Sequence, residues 1–114
     1  MIALLSIALA TSIECSVMST SGIDEYSRFY NLSYGETGVS KEGYTTAEVK
    51  KLTSEEKAEA WSCLLASAEK KYCGAVALLQ GCYENGWQQD PFQCSKNQEK
   101  HDKYKQLRKE VCPN

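Results

Sequence analysis

Six cysteines in 114 residues constrain this chain more than any other feature, and five of the six fall in its last 52 residues. Cys63 and Cys82 are 19 positions apart, and Cys94 and Cys112 are 18 apart. In a helix rising ~1.5 Å per residue, these gaps span ~28 Å and ~27 Å. Two antiparallel helices joined near residues 84–91 would therefore set Cys82 beside Cys94 and Cys63 beside Cys112. Cys15 and Cys73 remain, and by elimination they form the third pair, tying an N-terminal arm across the first helix. Spacing alone does not make this choice unique, because six cysteines admit many connectivities.

The length fits one small domain with a modest core, for which cross-links are a usual remedy. Net charge is −2 and the pI is near 5.4. Such a balance argues against a general nucleic-acid binder, which needs excess positive charge to displace phosphate counterions.

Helix signals dominate from Thr45 onward. Thr45-x-x-Glu48 and Thr53-x-x-Glu56 each have the form of a capping box. After the second box, Trp61, Leu64, Leu65, Ala68, Tyr72, Ala75, Val76 and Leu79 fall at steps of three and four. This spacing predicts one helix from about Ser54 to Gln80 with a single apolar stripe. Gly81 and Asn85-Gly86 supply stop and turn chemistry. Asp90-Pro91-x-Gln93 predicts the start of a second helix, with Asp90 as N-cap and Pro91 in the first position, running to about Val111. Residues 13–52 read as an irregular arm carrying one short helix, with Tyr26, Phe29, Tyr30, Leu32 and Tyr34 as its apolar weight. The expected fold is thus all-α: a disulfide-stapled helical hairpin over 53–114, preceded by that arm.

Placing residues at ~100° intervals around the first helix sets Cys63 nearly opposite the apolar stripe, among Glu56, Glu59, Ser67 and Lys70. The second helix offers only Tyr104, Leu107 and Val111 as an apolar face. The staples and the hydrophobic contact must then lie on different sides of the first helix. Its stripe requires a third layer, supplied by the arm or by another protein. Trp61, Leu65, Tyr72 and Leu79 are the stripe residues expected to meet that layer. Trp87, in the turn Asn85-Gly86-Trp87, is either an exposed anchor for a partner or a shield over the Cys82–Cys94 bridge.

The first ten residues, MIALLSIALA, are uncharged and mostly apolar, and end in the small-x-small pattern Ala8-Leu9-Ala10. Residues 1–12 read as a secretory signal, although they lack a basic n-region and are short for one. The run is too short to span a bilayer, which needs ~20 residues, and Glu14 ends it. Asn31-Leu32-Ser33 is an N-glycosylation sequon, which agrees with secretion and places residues 31–33 at the surface.

Cys63-x9-Cys73 has the spacing of a C-x9-C half-motif, and the chain ends in Glu110-Val111-Cys112-Pro113. Over residues 61–113 the chain resembles the twin C-x9-C (CHCH) proteins of the mitochondrial intermembrane space. That resemblance implies a disulfide-stapled helical hairpin serving as an accessory subunit of a respiratory complex. The second half departs from the pattern, since 17 residues separate Cys94 from Cys112 and Cys82 lies between the halves.

No residue set has the pattern of an active site. Closed zinc sites usually show closely spaced C-x2-C pairs, and none is present, so no metal or other cofactor is expected. A Cys–His nucleophilic pair would have to use His101, which lies in a highly charged segment beside Asp102. Lys96, Lys100, Lys103, Lys105, Arg108 and Lys109 make the second helix basic, as a solvated helix with cations toward its C-terminus is. The reading that follows is a small secreted, disulfide-rich helical protein, not an enzyme. It would act by binding a protein or channel partner in the manner of a toxin, effector or other ligand. The alternative is the respiratory-complex subunit.

Overall fold

The structure, a computed structural model, describes residues 13–34 and 52–113. The signal-like residues 1–12 and the capping box Thr45-x-x-Glu48 lie outside them. The described residues are all-α and carry four helices: α1 Ile23–Tyr34, α2 Ser54–Glu69, α3 Cys73–Asn85 and α4 Gln98–Val111. Three disulfides join them.

The expected irregular arm contains a three-turn helix, α1. Its buried residues are Glu25, Phe29, Leu32 and Ser33, at i, i+4, i+7 and i+8. This is helical periodicity, but two of the four members are polar. The helix runs antiparallel to α2, with Glu25 against Lys70 and Arg28 against Glu59.

The single long helix expected over 54–80 is two helices. The capping box at Thr53 forms: the Thr53 hydroxyl accepts from the Glu56 N–H at 3.1 Å, and the Glu56 carboxylate accepts from the Thr53 N–H at 3.0 Å. The helix then stops at a Schellman motif. Tyr72 N–H donates to the Ser67 carbonyl and Lys71 N–H to the Ala68 carbonyl. Lys71 occupies the left-handed position that glycine usually fills, with φ 65°. Cys63 and Cys73, at C-x9-C spacing, consequently lie on different helices.

The last helix starts later than Asp90-Pro91 suggests. Asn97 is its N-cap, accepting from the Lys100 N–H at 2.9 Å. Asp90-Pro91 is a cis peptide inside a turn closed by Phe92 N–H to the Gln89 carbonyl. Pro91 is fully buried, and the Phe92 ring meets both Phe29 and Trp87 edge-on. Residues 87–97 are thus a non-helical strap, bent at Asp90-Pro91, that turns Pro91 and Cys94 inward.

Two of the three expected pairings are exchanged. Cys82 bonds Cys94, but Cys15 bonds Cys63 and Cys73 bonds Cys112. The hairpin is α3–α4 alone, and Cys73 at the start of α3 is stapled to Cys112 at the end of α4 with Cα atoms 5.0 Å apart. Breaking the long helix at Lys71 shortens the first arm of the hairpin, so Cys73 and not Cys63 meets Cys112.

The core is built by α1, α2, α3 and the strap. Phe29, Leu64, Val76, Leu79, Cys63, Cys82 and Cys94 are all fully buried within it. α4 contributes no buried residue, and only Tyr104, Leu107 and Val111 pack against the core from its edge.

Candidate interaction surface

The third layer against α2 is supplied by this chain's own residues. Ahead of α1, residues 13–22 run across the face of α2 that carries Cys63, the face set opposite the apolar stripe in sequence. Cys63 is fully buried in the core cluster beside Leu64 and Ala68, so the staple and the hydrophobic contact do not lie on different sides of the helix as expected. Several contacts hold them there. The Cys15–Cys63 bridge is one, and the Ser62 hydroxyl donates to the Ile13 carbonyl at 2.7 Å. Glu59 accepts from the Ser16 N–H at 3.0 Å, from the Ser16 hydroxyl, and from Arg28 through Nε at 3.1 Å and Nη2 at 3.2 Å. The Arg28 guanidinium contributes most to holding the Glu59 carboxyl at about 2, well below its ordinary 4.5; burial opposes the shift, and the Ser16 bonds assist it.

A second polar cluster lies one turn beyond. Glu25 is 1% exposed. Burial alone would push its carboxyl up, but the Lys70 ammonium and the Ser19 hydroxyl, the latter at 2.6 Å, outweigh burial and hold it at about 2. Lys70 also donates to the Ser19 carbonyl. At the crossing, Gly22 has φ 86°, and a Cβ there would lie 2.9 Å from the Ser67 carbonyl oxygen. The Ser67 hydroxyl donates to the Gly22 carbonyl at 2.8 Å in a buried contact. Glycine is required here both by the backbone angle and by the close approach of the two backbone segments.

This tethered crossing displays apolar side chains. Among the described residues the large hydrophobics that stay exposed are Val17 at 36%, Met18 at 84% and Ile23 at 48%. All three fall within seven consecutive positions. Val17 and Met18, with Ile13 and Leu65, line a cleft of about 440 Å³ between the arm and α2, rimmed by Glu14, Glu69 and Lys70. Isolated exposed hydrophobics are ordinary; a cluster beside a concave, charge-rimmed surface is the pattern of an interaction site.

The residues nominated from sequence divide. Leu65 lines this cleft, and Trp61 and Tyr72 are half-buried against the core. Leu79 is fully buried and is removed from the interaction set, because it faces α3's packed neighbours and not a free stripe. Trp87 folds back: its ring lies over Gly81, within 3.3 Å of where a Cβ would be, and against Phe92 at a centroid distance of 5.4 Å. It covers the neighbourhood of the Cys82–Cys94 bridge. Of the sequon residues 31–33 expected at the surface, only Asn31 is exposed; Leu32 and Ser33 are buried, because α1 turns them toward the core. Met18, Val17 and the Glu25–Lys70 pair were missed. The apolar pair sat in a Ser-rich stretch without period, and the ion pair joins residues 45 positions apart.

His101 lies in a second groove, of about 600 Å³, lined by Gln80, Tyr83, Glu84, Lys96, Asn97 and Lys105 among others. Its Nε2 is 3.0 Å from Glu84 and its Nδ1 3.2 Å from Asp102. Every cysteine is in a disulfide, so His101 has no thiol to activate. Cys15, Glu59 and Cys63 place three donor atoms within 4.8 Å of one another. With both sulfurs bonded to each other, no thiolate is available there as a metal ligand.

Comparison with protein-family models, curated proteins and solved structures gave no match. No helix among the described residues is long and apolar enough to cross a membrane.

Proposed function

We propose that this chain is a small secreted helical protein that acts by binding a protein partner through the arm-and-α2 face centred on Met18. The observation that carries the reading is the clustering of Val17, Met18 and Ile23 on a segment fixed by a disulfide and by two ion-paired carboxylates, the buried Glu25 and the partly buried Glu59. Methionine presents an adaptable, polarisable surface, and a tethered segment loses little conformational freedom when a partner covers it. Six paired cysteines agree with an oxidising compartment. The partner surface would be apolar with a mixed charged rim, matching Glu14, Glu69 and Lys70.

Two measurements test the two halves of the reading. Expressed with its own N-terminus in eukaryotic culture, the protein is expected in the medium, beginning at Thr11 or Ile13. Accumulation in the mitochondrial intermembrane space would contradict secretion. Labelled protein titrated onto intact cells is expected to bind saturably and to be displaced by unlabelled wild type but not by Met18→Asp. Displacement by Met18→Asp as effective as by wild type would remove this face from the function.

A further inference from the structure

Ser33 is fully buried, and its hydroxyl has no hydrogen-bond partner among the described residues. A buried hydroxyl without a partner costs about 1–3 kcal/mol, and alanine would fill nearly the same space without that cost. Packing therefore gives no reason for serine at this position. Ser33 is also the third member of Asn31-Leu32-Ser33, the one N-x-Ser/Thr triplet in the chain.

We infer that Asn31 carries an N-linked glycan and that Ser33 is retained for the modifying enzyme, which reads the hydroxyl before the chain folds and buries it. The orphaned hydroxyl and the exposed asparagine are then two halves of one site, used at different times. In the transfer, the Asn31 amide nitrogen attacks the anomeric carbon of a lipid-pyrophosphate-linked oligosaccharide. The new bond is C–N, the broken bond is the anomeric C–O, the lipid pyrophosphate leaves, and the amide proton passes to a base.

The geometry of α1 accommodates the product. Glu25, Phe29, Leu32 and Ser33 face the core. At ~100° per residue their mean direction lies about 145° from Asn31, so a glycan projects from the opposite side of the helix. Ser27 and Asp24, one and two turns earlier on the same side, are exposed as well. Ile23 is eight residues before Asn31, ~12 Å along the axis. The glycan would thus cover the outer face of α1, opposite the side that meets the core.

This inference rests on the secretory reading, so the test separates the two. The full chain is expressed in eukaryotic culture, once with its own N-terminus and once behind a strong cleavable signal, and lysate and medium are both treated with peptide N-glycosidase F. Behind the strong signal, wild type is expected to collapse by one glycan, and Asn31→Gln and Ser33→Ala to run unmodified from the start. Because the readout includes lysate, failure of a variant to fold does not hide the result. Unmodified wild type behind the strong signal overturns the inference while leaving secretion standing. Modification there, but neither export nor modification with the native N-terminus, overturns the secretory reading and, with it, the modification of the natural protein. As a second readout, Ser33→Ala produced without glycosylation is expected to melt higher than wild type. A lower melting point would show that the hydroxyl has a structural role and overturn the explanation of why it is kept.

Discussion

α1 packs on α2 and α4 packs on α3, and the two are held in different ways. α1 buries four side chains and anchors two ion pairs, Glu25–Lys70 and Arg28–Glu59, across its contact with α2. α4 buries none; it rests through Tyr104, Leu107 and Val111 and is stapled at both ends of the hairpin by Cys73–Cys112 and Cys82–Cys94. A chain of this size cannot build apolar contacts on every helix. Here the available core is spent on three helices, and the fourth is kept by covalent bonds. Charges in the N-terminal half form a partly buried network around Glu25 and Glu59, whereas in α4 they sit at the surface.

The largest expected effect comes from removing the bridge that secures the α1 side. Cys15→Ser with Cys63→Ala opens a loop of 48 residues, which chain entropy puts at about 4 kcal/mol. Denaturant unfolding is expected to show a loss of that order in one cooperative transition, because α1 and the core fall together. Gly22→Ala should cost about 2–4 kcal/mol, as the new Cβ meets the Ser67 backbone and the φ of 86° disfavours it. A loss smaller than 1 kcal/mol would show that the crossing is looser than drawn.

Acid separates the halves further. The carboxyls of Glu25 and Glu59 are both held at about 2 against an ordinary 4.5. A lowered folded pKa stabilises fully above the unfolded value, so the contribution is complete above about pH 4.5 and is lost as pH falls toward 2. For Glu25 it is on the order of 3 kcal/mol; for Glu59 it is less, since its Arg28 partner is 40% exposed and screened. Melting followed from pH 5 to pH 2 should fall steeply in wild type and more gently in Glu25→Gln. The smallest effect expected is a gain: Lys71→Gly relieves a left-handed lysine and should raise stability by about 0.5–1 kcal/mol by thermal melting.

The all-α class, the Thr53 capping box, the Cys82–Cys94 pairing and the need for a third layer on α2 were legible because each depends on local spacing. The break at Lys70-Lys71-Tyr72 was not. It contains neither glycine nor proline, and the apolar stripe continues through it. α1 was hidden because Glu25 and Ser33 occupy core positions, so a scan for apolar residues found half of its buried face. Asp90-Pro91 has every mark of a helix start, yet the burial of Pro91 and the packing of Phe92 against the core outweigh that local preference. Of the surface, Leu65 was recognisable from its stripe, whereas Met18 becomes notable only once Cys15 is joined to Cys63.

The contrast between the two helices is tested most directly by peptide-level hydrogen exchange on Cys73→Ser/Cys112→Ser at neutral pH. With one staple removed, amides of residues 98–111 are expected to exchange much faster while those of 23–34 and 54–69 keep their wild-type protection. Protection of 98–111 at the wild-type level would contradict the account, since it would mean that α4 is held by its packing and not by its bridges.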